Sequence, residues 1–372
     1  MNRKKRNIHI IPSLGYGGAE SFLLRLIPNI EEENIVITLY HTQYDKERIK
    51  DKKLKYISLD LARTSILDIK TFLKLILSLN CNDTILSWLY IADLFASILK
   101  ILFFWKKFKV IWNVRNTVIK INEYSIIAFI SFSICRIFLM QIPKNIIFNS
   151  KESMLQHLKK GYSKQKSSII HNGFTRYVSL KKLNNEKNSF NIICVARYHP
   201  QKNHKLLFKS IETFKQHYCF NFKLHLVGKG LNTKNEGLIK HLKKLNIYNN
   251  VILHDLISPI SVHELFSQSD ISLLLSSYGE SFPNVIAEAM LYGTFPIATD
   301  VGDTKSIIAS FGETVPKNTT AEKIANLIYN YYLLKNNNFD DWRKKKKECL
   351  NFAENRFSIE KSAKKFKEII YS

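Results

Sequence analysis

The chain has 372 residues, too many for one ordinary hydrophobic core and the length of two domains of roughly 150 to 200 residues each. Hydrophobic residues make up 45% and charged residues 23%, which excludes a disordered chain. The 56 Lys and Arg against 31 Asp and Glu leave a net charge of +25; either an anionic partner or plain surface lysine explains it, since the lysines are spread out with short clusters such as Arg343 to Lys347.

From the start, the apolar run Ile8 to Leu14 reads as a strand, followed by the glycine-rich turn GYGGAES (Gly15 to Ser21) and a helix through Ile30. Its positive start resembles a signal peptide, but Pro12 and Gly15 break the apolar run at once, so a secretory leader is rejected. Further buried strands are expected at Asn34 to Tyr40, Lys109 to Val114 and Asn145 to Ser150. Two long apolar stretches, Thr84 to Trp105 and Ser125 to Ile142, raise the question of membrane spans. Asp93, Lys100 and Arg136 interrupt them, and a span wants about 20 apolar residues without charges. Helices that are buried or lie on a membrane surface are the expectation.

The polar stretch Thr175 to Ser189 is the expected linker. Beyond it short strands alternate with helices: strand Asn191 to Ala196, helix from Asn203, strand Phe222 to Gly228, a lysine-rich helix to Leu245, and strand Asn250 to Asp255. Helix Ser261 to Gln268, strand Asp270 to Leu275, helix Pro283 to Tyr292 and strand Phe295 to Thr299 follow, and after Thr320 only helices. That alternation predicts parallel sheets flanked by helices: an α/β fold of two doubly wound domains, with a ligand in the cleft beyond the carboxyl ends of the strands. The expected division is a domain over 1–174, a second over 175–355, and a helix over 356–372 packing back toward the first. Five separated cysteines (81, 135, 194, 219, 349) form no CxxC pair and imply a reducing compartment.

The chemistry concentrates in SSYGESFPNVIAEAMLYGTFPIATD, Ser276 to Asp300. Proline favours the first helical position, so a helix starts at Pro283 or Asn284, with Glu280 in the loop before it and Glu288 in its second turn. The first-turn N–H groups around Phe282 to Val285 can hold an anion between two carboxylates that accept from hydroxyls, which describes a sugar nucleotide. Spacing alone favours the plainer alternative, Glu280 as a helix-entry residue and Glu288 as a solvated helix residue. In VARYHPQKNHK, Arg197 and Lys202 can converge on a leaving diphosphate, or form an ordinary basic loop. GYGGAES allows close approach of a phosphate or sugar, or a plain turn; with Glu20 at the third position it is no nicotinamide fingerprint. The chain has no DxD pair and no cluster of metal ligands, so cations and a helix dipole would stand in for a metal.

Together E-x7-E (Glu280 to Glu288), R-x4-K (Arg197 to Lys202) and PSLGYGGAES resemble the family-4 retaining glycosyltransferases of the GT-B fold, with two Rossmann-like domains. IIFNSKESMLQH, IIHNGF and LVGKG stand where that family has further signatures, and SWLYIAD and WNVRNT resemble bacterial cell-surface polysaccharide transferases of capsule and lipopolysaccharide. The resemblance implies an acceptor-binding first domain and a donor-binding second one. It implies that Glu280 contacts the donor sugar, that Ser281, Phe282, Pro283, Asn284 and Val285 hold sugar and diphosphate, and that Glu288 takes the ribose. Arg197 and Lys202 would stabilise the departing nucleoside diphosphate, and Gly17 and Gly18 would approach it from the first domain. Gly228 belongs to the donor site, and Leu256 lies near the base. Arg115 stands where many relatives have a histidine and enters as a catalytic candidate, and Ile91 replaces another histidine.

The implied activity is a hexosyl transfer, metal- and cofactor-independent, from a UDP-linked or other nucleoside-diphosphate sugar to a glycan or polyprenyl-linked glycan. The implied place is the cytoplasm, peripheral on the inner membrane face through an anionic lipid surface. An epimerase of the same fold is one rival. A basic nucleic-acid-binding protein is another, disfavoured because the aromatics lie in apolar runs instead of among the charges; no nucleic-acid partner is expected.

Overall fold

In the computed structural model the chain forms two compact units, Met1–Phe174 with Ile359–Ser372, and Thr175–Ser358. The structure describes residues 5–15, 17–43, 45–50, 54–60, 66–117, 125–177, 189–218 and 221–372. Most of the expected linker (178–188), Tyr16 of the glycine-rich turn and Cys219 lie outside the described residues.

The first unit alternates β1 (Arg6–Ile11), α1 (Gly18–Leu26), β2 (Glu33–Thr38), α2 (Asp45–Ile49), β3 (Lys55–Ser58), α3 (Ile66–Ser78) and β4 (Thr84–Trp88). It continues with α4 (Tyr90–Leu102), β5 (Lys109–Val114), α5 (Ile126–Phe138), β6 (Asn145–Phe148), α6 (Lys151–Leu158) and β7 (Ser167–Ile169). All strands are parallel, in the order β3-β2-β1-β4-β5-β6-β7. Period-two alternation assigns the two faces. Ile8, Ile10, Ile85, Val110, Trp112, Ile146 and Phe148 pack under α3, α4 and α5, while Ile11, Leu86, Trp88, Ile111 and Ile147 pack under α1 and the C-terminal helix. The strands are buried on both sides, which is why they read as unbroken apolar runs.

The apolar stretch Thr84 to Trp105 is not one helix: β4 ends at Trp88, Leu89 turns the chain with φ of 71°, and α4 begins at Tyr90. Sequence reading also passed over β3, β7 and the short β13 named below. Among the described residues no helix is long and apolar enough to cross a membrane.

The second unit runs β8 (Phe190–Val195), α7 (His204–Tyr218), β9 (Phe222–Val227), α8 (Glu236–Lys244), β10 (Val251–Asp255), α9 (Pro259–Gln268) and β11 (Ile271–Leu274). Then come α10 (Asn284–Met290), β12 (Phe295–Thr299), α11 (Thr304–Ile308), β13 (Glu313–Val315), α12 (Ala321–Asn337) and α13 (Phe339–Phe357). Its parallel sheet has the order β10-β9-β8-β11-β12-β13, so the direction of winding reverses between β8 and β11. The buried pair Lys335–Asp270 (2.9 Å) ties α12 to the loop before β11, and Lys335 also donates to the Ser189 carbonyl.

The chain then returns to the first unit as α14 (Ile359–Tyr371). Ile359, Ala363, Phe366 and Ile370 recur with helical spacing and are buried against Phe22 and Trp88. The Ile359 N–H donates to the Phe174 carbonyl (3.0 Å), and Ser362 donates to the His171 carbonyl (3.0 Å).

Candidate functional site

In an open doubly wound sheet, ligands bind outside the carboxyl ends of the strands where the winding reverses. In the second unit that place is the pair of loops after β8 and β11. The first carries Arg197 and Lys202, the second Glu280. Lys202 Nζ donates to Glu280 Oε1 at 2.5 Å, with both side chains largely enclosed, and Ser276 Oγ donates to the same oxygen at 2.7 Å.

Gln201 clamps the two loops: its carbonyl accepts from Ser277 N–H (2.8 Å), and its side-chain amide donates to the Tyr278 carbonyl (3.0 Å) and accepts from Arg197 (3.0 Å). Arg197 is exposed at the mouth. The structure therefore pairs Lys202 with Glu280 although 78 residues separate them, and holds Arg197 on Gln201, the residue before that lysine. Behind it, burial holds the His204 imidazole down at about 4, and the Lys202 charge adds to that.

Backbone geometry keeps these loops close. Gly302 sits at φ of 64°, and a Cβ there would lie 2.4 Å from the Glu280 carbonyl and 2.5 Å from that of Ser281. Only glycine fits such a position without moving the glutamate's own backbone. Gly228, at φ of 141°, leaves 2.3 Å between a Cβ and the Ala196 carbonyl, next to Arg197. Asp255, at the end of β10, accepts from Gly230 N–H (3.1 Å) and Asn232 (2.9 Å), and its carbonyl accepts from Gly228 N–H (2.8 Å). Leu256 follows it and is largely exposed.

The helix after Glu280 starts at Asn284, with Pro283 as its cap and no side-chain cap bond. Ser281, Phe282 and Pro283 are buried, Phe282 against Phe357 (5.7 Å), while Asn284 and Val285 are half-buried. Glu288 lies in the second turn, half-buried; burial pushes the neighbouring Tyr292 phenol up, and the charges of Arg176 and Glu288 both act on it. Sequence reasoning missed Gln201, Ser276, Gly279 and Gly302. For Gly302, the pattern DVGD between a strand and a helix was the available signal.

In the first unit, Gly17 caps α1 and Gly18 begins it. The preceding loop is fixed by Arg48, which donates to the Gly15 carbonyl and to Ser21 (3.0 Å), and by buried Asp45, which accepts from Leu14 N–H (3.2 Å). Arg115, a catalytic candidate on sequence grounds, is enclosed at 5% exposure inside this unit. Its guanidinium lies over Phe22 (4.8 Å), Trp88 (5.3 Å) and Phe366 (5.4 Å) and donates to the Ile170 carbonyl and Asn172 (both 3.1 Å). Burial pulls it down to about 9. It also donates to Asn113 Oδ1 (3.4 Å), so a guanidinium covered by three rings and bonded to three acceptors is engaged inside the first unit, which corrects the expectation of a cation open to substrate. Among the described residues no group of three or more His, Cys, Asp or Glu could hold a metal ion.

Two doubly wound α/β units of this order in one chain make the GT-B fold. The structure of Anabaena HepE in complex with UDP matches with a TM-score of 0.78 at 17% identity, over 98% of this chain and 99% of HepE; HepE has also been solved with UDP-glucose. The lipopolysaccharide outer core galactosyltransferase WaaB matches with a TM-score of 0.71 at 18% identity, over 98% and 99%. An uncharacterized 41.2 kDa protein in the cps region of Klebsiella pneumoniae is 27% identical over 222 residues, and that match spans 57% of each protein. Residues 177–356, nearly the whole second unit, match the family described as "Glycosyl transferases group 1". The likeness to that family is carried by the second unit.

Proposed function

We propose that the protein is a retaining, metal-independent hexosyltransferase of the family-4 kind. It moves a sugar from a nucleoside-diphosphate sugar, UDP-linked, to a hydroxyl of a glycan or lipid-linked glycan in cell-surface polysaccharide synthesis on the cytoplasmic side of a membrane. The observation that carries this reading is the Lys202–Glu280 pair with Arg197 beside it, at the reversal point of the second sheet. UDP and UDP-glucose in HepE, the galactosyl transfer in WaaB's name and the cps-region relative support donor and pathway class.

In this reading Lys202 and Arg197 neutralise the diphosphate as it departs, where a catalyst must place charge before the bond breaks. Glu280, held by Lys202 and Ser276, accepts hydroxyls of the donor ring as it gains positive character. Backbone N–H groups of Ser281 to Val285 hold sugar and diphosphate, and Glu288 takes the ribose. Gly228 and Leu256 border the nucleoside, and Gly17 and Gly18 contact the diphosphate. Metal independence follows from the missing DxD pair together with two cations suited to replace it.

The test is incubation with a panel of nucleotide sugars, following hydrolysis and transfer with and without EDTA, and reading the anomeric configuration of the product by NMR. Turnover of a UDP-sugar with retained configuration in EDTA is expected. Activity lost in EDTA and restored by Mn²⁺ removes the metal-independent claim, and no turnover of any nucleotide sugar removes the function.

A further inference from the structure

We propose that a groove in the second unit, at the amino ends of β12 and β13, binds a saccharide ring at a place separate from the Lys202–Glu280 pair. The groove has a volume of about 480 Å³, within the range of about 300 to 1,000 Å³ that small ligands use. Its place follows from the winding. Phe295 begins β12 and Glu313 begins β13, whereas Gly302, against the Glu280 carbonyl, follows the other end of β12. The five residues of β12 put about 15 Å between those ends.

Three elements build the walls. Leu327, Tyr331 and Leu334 recur at helical spacing and turn one face of α12 to the groove, with Asn330 beside them. Lys345 and Glu348 line it from α13, and Ser310, Phe311 and Gly312 line it from the turn before β13. Glycine is required in that turn, because a Cβ on Gly312 would lie 2.4 Å from the Pro296 carbonyl. The rings are held by packing. Tyr331 lies nearly parallel to Phe295 (5.3 Å, 21°), Trp342 backs both (6.3 and 4.9 Å), and Phe311 rests on Phe352 (4.8 Å).

The polar groups select the occupant. Glu313 and Glu348 make no ion pair among the described residues and offer acceptors. Lys345, paired with Asp341 (3.2 Å), keeps further donors, and Asn330, Ser310 and the Tyr331 hydroxyl can each donate or accept. Burial, and after it the Glu313 charge, hold the Tyr331 phenol above its usual range, so it keeps its proton. An apolar occupant would leave these groups unpaired. An anion would meet two carboxylates, and a cation would meet Lys345. A pyranose ring carries hydroxyls that donate and accept around its edge, and a C–H face suited to the negative face of an aromatic ring. Of these classes it satisfies every kind of group present. The inference rests on this lining and stands apart from the reaction proposed for the other end of the sheet.

The fold supplies its own probe. Trp342 is the tryptophan of the second unit, since Trp88, Trp105 and Trp112 lie in the first. Fluorinated tryptophan therefore places one fluorine signal behind the groove, assigned by its loss in Trp342→Phe. The full chain, saturated with UDP, is titrated with methyl glycosides of glucose, galactose, mannose and N-acetylglucosamine and, separately, with spermidine. A shift of the Trp342 signal by at least one glycoside, with the other tryptophan signals unmoved, is expected.

Glu313→Ala/Glu348→Ala should weaken that binding by about tenfold or more, and Lys202→Ala should leave it unchanged. Melting temperatures separate lost binding from lost folding, and Glu348→Ala alone, at an exposed position, should weaken binding in the same direction. Hydrolysis of a UDP-sugar on UDP-free samples reads the proposed reaction independently, so failure of one claim is distinguishable from failure of the other. No shift with any glycoside overturns the inference, as does a shift that appears only without UDP. Binding indifferent to both glutamates, or spermidine acting at a tenfold lower concentration than every glycoside, overturns it as well.

Discussion

At the carboxyl ends of their strands the two units are built differently. In the second, glycines in the left-handed region follow β9 (Gly228 and Gly230), β11 (Gly279) and β12 (Gly302), so loops run close together with charged side chains between them. In the first, Gly161 after α6 is the one such glycine among the described residues. Its strand ends carry bulky groups that turn inward, such as Trp88 and Arg115, and its interior also holds His9, Asp93 and His157 fully buried. A site made from backbone and short-range cations demands fixed residue types at fixed spacing. A sheet end closed by packing does not, because many combinations of volume fill the same space.

The largest effect that bears on this contrast is expected at Lys202. Lys202→Ala removes the cation that meets Glu280 and leaves a leaving diphosphate short of charge, so turnover should fall by roughly 10²-fold or more; Arg197→Ala should act in the same direction. Steady-state donor hydrolysis at wild-type rate in either variant would take that residue out of the site.

The two carboxylates of the second unit should then separate by role. Glu288→Gln loses a charge-assisted bond worth roughly 1.5 to 3 kcal/mol, so affinity for the nucleoside diphosphate should drop by about one to two decades. Glu280→Gln should lower turnover and leave that affinity nearly unchanged, since the proposed reading gives Glu280, bonded to Lys202 and Ser276, to the sugar and Glu288 to the ribose. Calorimetry with UDP together with rates for both variants checks the pair; equal losses of affinity would reverse the assignment.

Legibility followed the same divide. The second unit's strands other than the short β13 were read in order from alternation, and Glu280, Lys202 and Arg197 were singled out because each lies in the loop after a strand. Gln201 and Ser276 were not, since a glutamine and a serine in polar loops carry no periodic signal; only their hydrogen bonds reveal them. In the first unit, β4 and α4 merged into one apolar run, because a strand buried on both faces and a helix buried on one share a composition. Arg115 misled for a related reason: a cation at a strand end looks functional until the rings around it are seen.

Acid should expose the first unit's inward polarity. His9 accepts from the Trp88 indole (3.3 Å) and donates to Asn34 (3.0 Å), and burial holds it down at about 4; His157, against Tyr90 (2.6 Å), is held at about 4 for the same reason. A histidine whose folded value is depressed binds fewer protons folded than unfolded between about 4 and 6.5. Its stabilising contribution is therefore complete above 6.5 and is lost as the pH falls toward 4. At pH 5 each such histidine should remove about 2 kcal/mol relative to neutral pH. Denaturant melts at pH 7 and pH 5 measure it, and His9→Gln should flatten the dependence. Stability that holds or rises on acidification would contradict the burial assigned to these rings.

The smallest effect is expected at Arg115, because two terms oppose there. Arg115→Met leaves the Ile170 carbonyl and the Asn172 side-chain oxygen without a donor they now have at 3.1 Å, and an unpaired buried acceptor costs about 1 to 3 kcal/mol. The same change removes a desolvated cation and keeps an unbranched apolar chain between Phe22, Trp88 and Phe366, which offsets part of that cost. The net should be a destabilisation of about 1 kcal/mol, with UDP affinity unchanged in calorimetry, because every named partner of this guanidinium lies within the first unit. Arg115→Lys should not restore stability, since an ammonium cannot stack on three rings and reach two acceptors at once. A variant that melts like the wild type but loses turnover by tenfold or more would return Arg115 to the catalytic group and erase the contrast drawn between the two strand ends.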